Sequence, residues 1–200
     1  TDYICSYGDV ILFINSNDLD LDYLYDKYSR VIFYNDSIQY ANRLIHCLNQ
    51  IDDEYFLLIH DIDILLNVNN ETIESFYEFM KLKNVDRIDL KQSHSLNVSN
   101  VIYVGKSDSV ELWPTIKTCD IGEGIHLVKQ EDPKEFIYNV NPSIWKRDSF
   151  LKLLNKFSYK TYRTIEDLDV QNYCTRFNIY KLYSKNSIDC GYFVCLDIFK

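Results

Sequence analysis

The stretch Tyr55-Phe-Leu-Leu-Ile-His-Asp61-Ile-Asp63 places two carboxylates two residues apart, where an apolar run gives way to polar residues. Both side chains can face one ligand once the chain leaves strict pleating. Hard carboxylate oxygens suit Mg²⁺ or Mn²⁺, whose coordination is usually completed by water and a substrate phosphate. The same Asp-x-Asp pattern also marks an ordinary polar loop at a strand's end. A second acidic group, Glu166, Asp167 and Asp169, follows a helix-like stretch late in the chain. Glu166 or Asp167 can take a proton from an attacking hydroxyl. Equally, they can sit in a helix's first turn and serve only its N-terminus and dipole. Gly122-Glu123-Gly124 would let a loop approach a ligand closely. Trp113 and Trp145 can stack on the apolar face of a pyranose, although a Trp is more often a core residue.

The elements that must position these residues read as α/β first and α+β second. Val10 to Ile14, Val31 to Tyr34 and Tyr55 to Ile59 are continuous apolar runs, as expected of strands buried on both faces. Between them lie two helical stretches. The first runs from Asp18 to Tyr28. The second starts from Ser37 as a cap and turns Ile38, Ala41, Leu44, Ile45 and Leu48 to one face. A β-α-β-α-β series at this spacing predicts a parallel sheet with right-handed crossovers, and ligands then gather at the strands' carboxyl ends. Asn15, Ser16 and Asp36 stand at such ends, and Arg43 lies on the second helix. For Asp36 the competing reading is turn chemistry in Tyr34-Asn-Asp-Ser37. For Arg43 it is a charge on a helix surface. Further on, Asn70 begins a helix through Ile73, Phe76, Phe79 and Met80, and residues 86 to 140 read as short strands and loops. Asp148 starts a helix with Phe150, Leu151, Leu154 and Phe157 inward. Thr164 and Asp167 form a capping pair for another helix, and strands follow at Tyr180 to Tyr183 and Tyr192 to Ile198.

Two hundred residues, 46% hydrophobic and 15% aromatic, suit one globular domain. Few glycines and prolines and no linker divide it. A net charge of −9 argues against a nucleic-acid backbone or an anionic membrane as the partner, since both reward clustered Lys and Arg. A phosphorylated small molecule stays open, because a bound cation can reverse the local field. No apolar run is long enough to span a membrane and no leader is present, so a soluble protein is expected. The six cysteines lack metal spacing and read as reduced core thiols of a cytoplasmic setting. Nothing indicates an oligomer. The start at Thr1 and the stop inside the run Tyr192 to Phe199 are those expected of a piece of a longer polypeptide.

Three motifs in order carry a family resemblance. Tyr40-Ala-Asn-Arg43 precedes the apolar strand ending in Asp61-Ile-Asp63. Asn141-Pro-Ser-Ile-Trp-Lys-Arg-Asp148 is similar to a P-x-hydrophobic-W-[KR]-[RK]-[DE] segment, and the acidic pair Glu166-Asp167 follows it. This order resembles the metal-dependent nucleotide-sugar glycosyltransferases of the GT-A, Rossmann-like fold, in particular the glycosyltransferase domains of small bacterial and giant-virus (chlorella-virus) proteins. The resemblance covers essentially the whole chain. It implies a mostly parallel central sheet flanked by helices, with a nucleotide-sugar half over about residues 1–65 and an acceptor half over about 66–200. It also implies a UDP-sugar donor, a glycan acceptor, Mn²⁺ or Mg²⁺ on Asp61 and Asp63, and synthesis of a viral capsid glycan in the host cytoplasm. On that reading Asn15, Ser16, Asp36, Arg43 and Asp61 meet the nucleotide. Asp36 would accept from uracil N3–H or a ribose hydroxyl, and Arg43 would meet phosphate. Gly122, Glu123, Gly124, Trp145 and Asp169 would line the acceptor side, with Glu166 or Asp167 as base if the reaction inverts configuration. The family's usual third metal ligand has no obvious equivalent, and Asp197, His126 or a residue past Lys200 stays open for it.

Two other readings compete. A phosphatase using an aspartyl nucleophile also begins with strand-Asp-x-Asp, but Leu65 stands where it needs Thr or Val. A non-catalytic carbohydrate-binding domain would keep the Trp and Tyr surfaces without needing the carboxylate pair. A calcium loop starting at Asp61 fails, since Leu65 and Leu66 occupy positions that need an oxygen ligand and Gly.

Overall fold

The computed structural model describes residues 9–15, 21–60, 63–66, 70–90, 125–129, 138–184 and 191–194. The protein is a mixed α/β chain that divides into two compact units. One comprises Thr1–Asp53 with Leu151–Ile165, the other Glu54–Phe150 with Glu166–Lys200.

In the first unit, β1 (Ile11–Ile14) and β2 (Arg30–Phe33) pair in parallel, Ile11 opposite Arg30 and Ile14 opposite Phe33. The intervening α1 (Leu21–Lys27) supplies the crossover that parallel strands require. One more hydrogen bond, from the Tyr34 N–H to the Ile14 carbonyl (2.9 Å), carries the pairing past the strand ends. The next helix, α2 (Tyr40–Leu48), buries Ala41 and Leu48 of the expected face and Cys47 beside them, while Leu44 and Ile45 are half-buried and Ile38 is exposed ahead of the helix. Its start differs from expectation, because Ser37 does not cap it. The Ser37 N–H donates instead to the Asn35 side-chain oxygen at 2.8 Å, an Asx turn that spends two residues before the helix can begin at Tyr40. The Leu151–Ile165 stretch belongs to this unit, with Leu153, Leu154, Phe157 and Ile165 buried. The Asn42 side-chain amide donates to the Ser158 carbonyl (3.2 Å), and the Tyr40 and Tyr162 rings meet edge to face at 5.2 Å.

The second unit holds β3 (Tyr55–Leu58), β4 (Asp63–Leu66), α3 (Asn70–Lys83), β5 (Arg87–Asp89), β6 (Ile125–Lys129), β7 (Ser143–Lys146), β8 (Ile179–Ser184) and β9 (Gly191–Val194). Here the sheet departs from the expected parallel series. Five strands run in the order β3-β7-β5-β8-β6, and only β5 and β8 are parallel. The third strand of the sequence pattern, β3, lies antiparallel to β7, Phe56 opposite Trp145. β4 pairs separately with β9, Asp63 opposite Val194. In α3 the residues Ile73, Phe76, Phe79 and Met80 recur three and four apart and are buried. The helix ends at Asn84, whose φ of 49° is left-handed, a conformation Asn tolerates better than most residues. The helices α4 (Arg147–Lys156) and α5 (Leu168–Cys174) complete the chain's described elements. α4 buries Phe150, Leu153 and Leu154, while Leu151 is only half-buried.

One carboxylate ties three segments of this second unit together. Asp86 accepts from the Ser149 hydroxyl through one oxygen and from the Asn178 N–H (2.8 Å) through the other, while its backbone carbonyl accepts from the Lys146 N–H (2.9 Å).

Candidate functional site

At the carboxyl ends of β1 and β2, three residues expected from the sequence come together. Asn15 donates from its side-chain amide to one Asp36 carboxylate oxygen. Arg43 is ion-paired to the other through Nη1. The Arg43 guanidinium also donates from Nη2 to the Asp36 backbone carbonyl and from Nε to the Ile38 carbonyl at 2.8 Å. Its central carbon lies over the Tyr34 ring, 5.8 Å from the centroid. Sequence reasoning missed Tyr34, although an aromatic at a strand end, one helical segment before an Arg, was its signal. Asp36 keeps 53% of its side-chain surface in solvent, against 29% for Arg43. The result is an exposed carboxylate held from two sides at the edge of a parallel strand pair.

The late acidic pair divides into two different roles. The Glu166 carboxylate accepts from the Val140 N–H at 2.7 Å, so it braces the segment before β7. Gln171 braces the same segment, accepting from the Tyr138 N–H (2.8 Å) and donating to the Tyr138 carbonyl (2.7 Å). Asp167 stands at the N-cap of α5, exposed, with no side-chain cap bond, and Asp169 is exposed in the first turn. Thr164 does not take part in a capping pair. It accepts from the Thr161 N–H (2.9 Å), closing its own turn ahead of the helix.

Trp145 is the clearest correction. It was expected on the acceptor side, but it is 1% exposed within β7. Its ring stacks on Phe150 at 4.6 Å, meets Tyr138 at 6.0 Å and Phe177 at 6.4 Å, and has the Arg87 guanidinium 5.2 Å from its centroid. A ring so covered has no face left for a sugar. The similarity of the segment around Trp145 is therefore that of a core strand leading into a helix. Beside it, the fully buried Arg87 donates to the Asn139 carbonyl (3.0 Å) and side-chain oxygen (2.8 Å), and the Asn139 amide donates to the fully buried Asp89 at 2.7 Å. This buried polar network was not legible beforehand, since alternating Arg87-Ile-Asp89 resembles a half-exposed strand.

Ser16, Asp61, Trp113, Gly122, Glu123, Gly124 and Asp197 lie outside the described residues, as do the side chains of Asp63 and His126. Among the described residues no group of three or more His, Cys, Asp or Glu side chains gathers as a metal cluster, and no helix is long and apolar enough to cross a membrane.

No protein-family model and no curated protein matches the chain. Similar solved structures exist. An apo UDP-glucose pyrophosphorylase superposes with a TM-score of 0.47 at 12% identity, covering 88% of this chain and 62% of that one. The 4-diphosphocytidyl-2C-methyl-D-erythritol synthase of Anaerococcus prevotii gives 0.44 at 11% identity, covering 90% and 74%. A CMP:2-keto-3-deoxy-manno-octonic acid synthetase complexed with CTP gives 0.46 at 11% identity, covering 91% and 76%. At so low an identity and superposition these likenesses carry nothing about what this chain binds. The chain spans less than two thirds of the length of the first of them.

Proposed function

We propose that the protein is a metal-dependent glycosyltransferase that moves a sugar from a UDP-sugar to a glycan acceptor. The observation that supports this best is the exposed Asp36 carboxylate, fixed by Asn15 and Arg43 at the carboxyl ends of two parallel strands. That is where an open α/β sheet offers ligands its strand ends. An ionised carboxylate is acceptor-only, so it suits ribose hydroxyls or a uracil N3–H and disfavours a phosphate. The order of sequence motifs supports the rest of the reading.

In it, Asp61 and Asp63 supply hard oxygen donors of the kind Mn²⁺ or Mg²⁺ takes. Such a cation supplies charge neutralisation for the departing diphosphate. Of the acidic pair, Asp167 is the better base toward an acceptor hydroxyl. One Glu166 oxygen accepts from the Val140 N–H in a half-buried setting, whereas Asp167 is exposed at the helix's edge. Asp169 and the Gly122–Gly124 loop are assigned to the acceptor side.

Incubating the protein with Mn²⁺ and a panel of UDP-sugars tests this. Slow donor hydrolysis that a chelator stops and Asp63→Ala abolishes is the expected result. Cleavage of simple phosphomonoesters, or no affinity for any uridine nucleotide, would overturn it.

A further inference from the structure

We propose that Arg43 is a positioning residue for Asp36 and not a ligand of the nucleotide's phosphates. The inference rests on the reading of Asp36 as a nucleoside contact given above. A helix-borne arginine beside a nucleotide site invites the opposite assignment, because a guanidinium grips phosphate with two parallel N–H groups. In Arg43, three of the donors such a grip would draw on are already committed. A guanidinium has five N–H donors. Nε–H is committed to the Ile38 carbonyl, one Nη2 donor to the Asp36 carbonyl, and Nη1 to the Asp36 carboxylate. The Nε edge, half of a side-on fork, is therefore closed. The Tyr34 ring lies beside the group, its centroid 5.8 Å from the guanidinium carbon.

What those bonds accomplish is local. They cross the β2–α2 turn from Asp36 to Ile38 and lock its backbone, while Asn15 and Arg43 each hold one carboxylate oxygen. The carboxylate is thus aimed before any ligand arrives, which cuts the ordering cost of binding. It retains lone pairs for two neutral donors, such as a ribose diol. The adjacent charges nearly cancel, so the pair offers a phosphate little net attraction.

The test compares uridine, UMP and UDP by calorimetry, in the presence of Mn²⁺, for the wild type, Arg43→Met, Asp36→Ala and the double variant, each with its fold confirmed by circular dichroism. The expected result is a loss of about tenfold in affinity for Arg43→Met that is equal for all three ligands. The double variant should be no weaker than Asp36→Ala alone, because the two residues act as one unit. A loss confined to the phosphate-bearing ligands and growing from UMP to UDP would overturn the proposal, as would additive losses. Amide exchange in the ligand-free protein gives a second readout. Arg43→Met should speed exchange at Ser37 and Ile38, and unchanged rates there would also overturn it. If the wild type binds none of the three ligands, the glycosyltransferase reading falls, and the exchange rates alone decide whether Arg43 positions Asp36.

Discussion

Two arginines in this protein each hold a carboxylate together with neighbouring oxygens, one at a rim and one in an interior. Arg43 closes the turn after β2, and its partner Asp36 stays more than half exposed. Arg87 sits at the centre of the five-stranded sheet with Asp89 and Asn139, and both charged residues are fully buried. Similar chemistry has different consequences in the two places. An exposed pair contributes roughly 0–1 kcal/mol to stability, because water screens it and competes for its donors. Breaking a buried one strands a charge where water cannot reach it, at about 3–5 kcal/mol. The rim arginine can therefore serve a ligand site with little effect on folding, whereas the interior arginine specifies the sheet and the Tyr138–Asn139 segment against it.

The largest effect that could break this contrast is at Arg87. Arg87→Met should cost about 3–5 kcal/mol, read as a lower urea midpoint at unchanged slope, against under about 1 kcal/mol for Arg43→Met. Equal losses would mean that Arg43 is as much a folding residue as Arg87. The acidic pair sharpens the comparison next. Glu166→Ala removes the acceptor from the Val140 N–H and should cost about 1–3 kcal/mol, and Glu166→Gln should recover most of that because an amide oxygen still accepts. Asp167→Asn should leave stability nearly unchanged and, if Asp167 is the base, lower kcat about 100-fold or more.

The smallest effect concerns two thiols, one in each unit. Burial pushes the Cys47 thiol up to about 11 and the Cys174 thiol to about 12, the latter against the opposing pull of Arg87. The ordinary value for such a thiol, taken for the unfolded chain, is 9.0. Above that pH the unfolded state sheds protons that the folded state keeps, so stability falls as pH rises through the folded values and is unaffected by these groups below it. Urea midpoints measured at about pH 8 and about pH 10 should show the decline, smaller in Cys174→Ala.

Much of the fold was readable because it is written in local periodicity. The runs Ile11–Ile14 and Tyr55–Leu58 and the spacing of Ile73, Phe76, Phe79 and Met80 each announce an element without reference to the rest of the chain. Pairing is not local. Nothing near Tyr55 says that its partner is Lys146, 91 residues on, or that this partner runs antiparallel. Ser143–Lys146 escaped notice as a strand because four residues give too little alternation, and its Trp suggested a ligand platform when burial was the simpler physics. Ser37 and Thr164 were misassigned as caps for one shared reason. In both cases a short polar side chain or its backbone found a closer partner in a turn, Asn35 in one and Thr161 in the other. Asn15, Asp36 and Arg43 could be grouped beforehand because strand ends and helix face follow directly from element boundaries. The bonds that turn Arg43 inward depend on the turn's own conformation, which the sequence pattern does not carry.

The carboxylate of Asp86 closes two long stretches of chain at once, reaching 63 residues forward to Ser149 and 92 to Asn178. Contacts of such separation cost more loop entropy than neighbouring ones and form once the elements they join have met. A group of this kind acts as a late latch. Removing it should leave the speed of folding almost as it was and quicken unfolding, shortening the lifetime of the native state more than it delays its arrival.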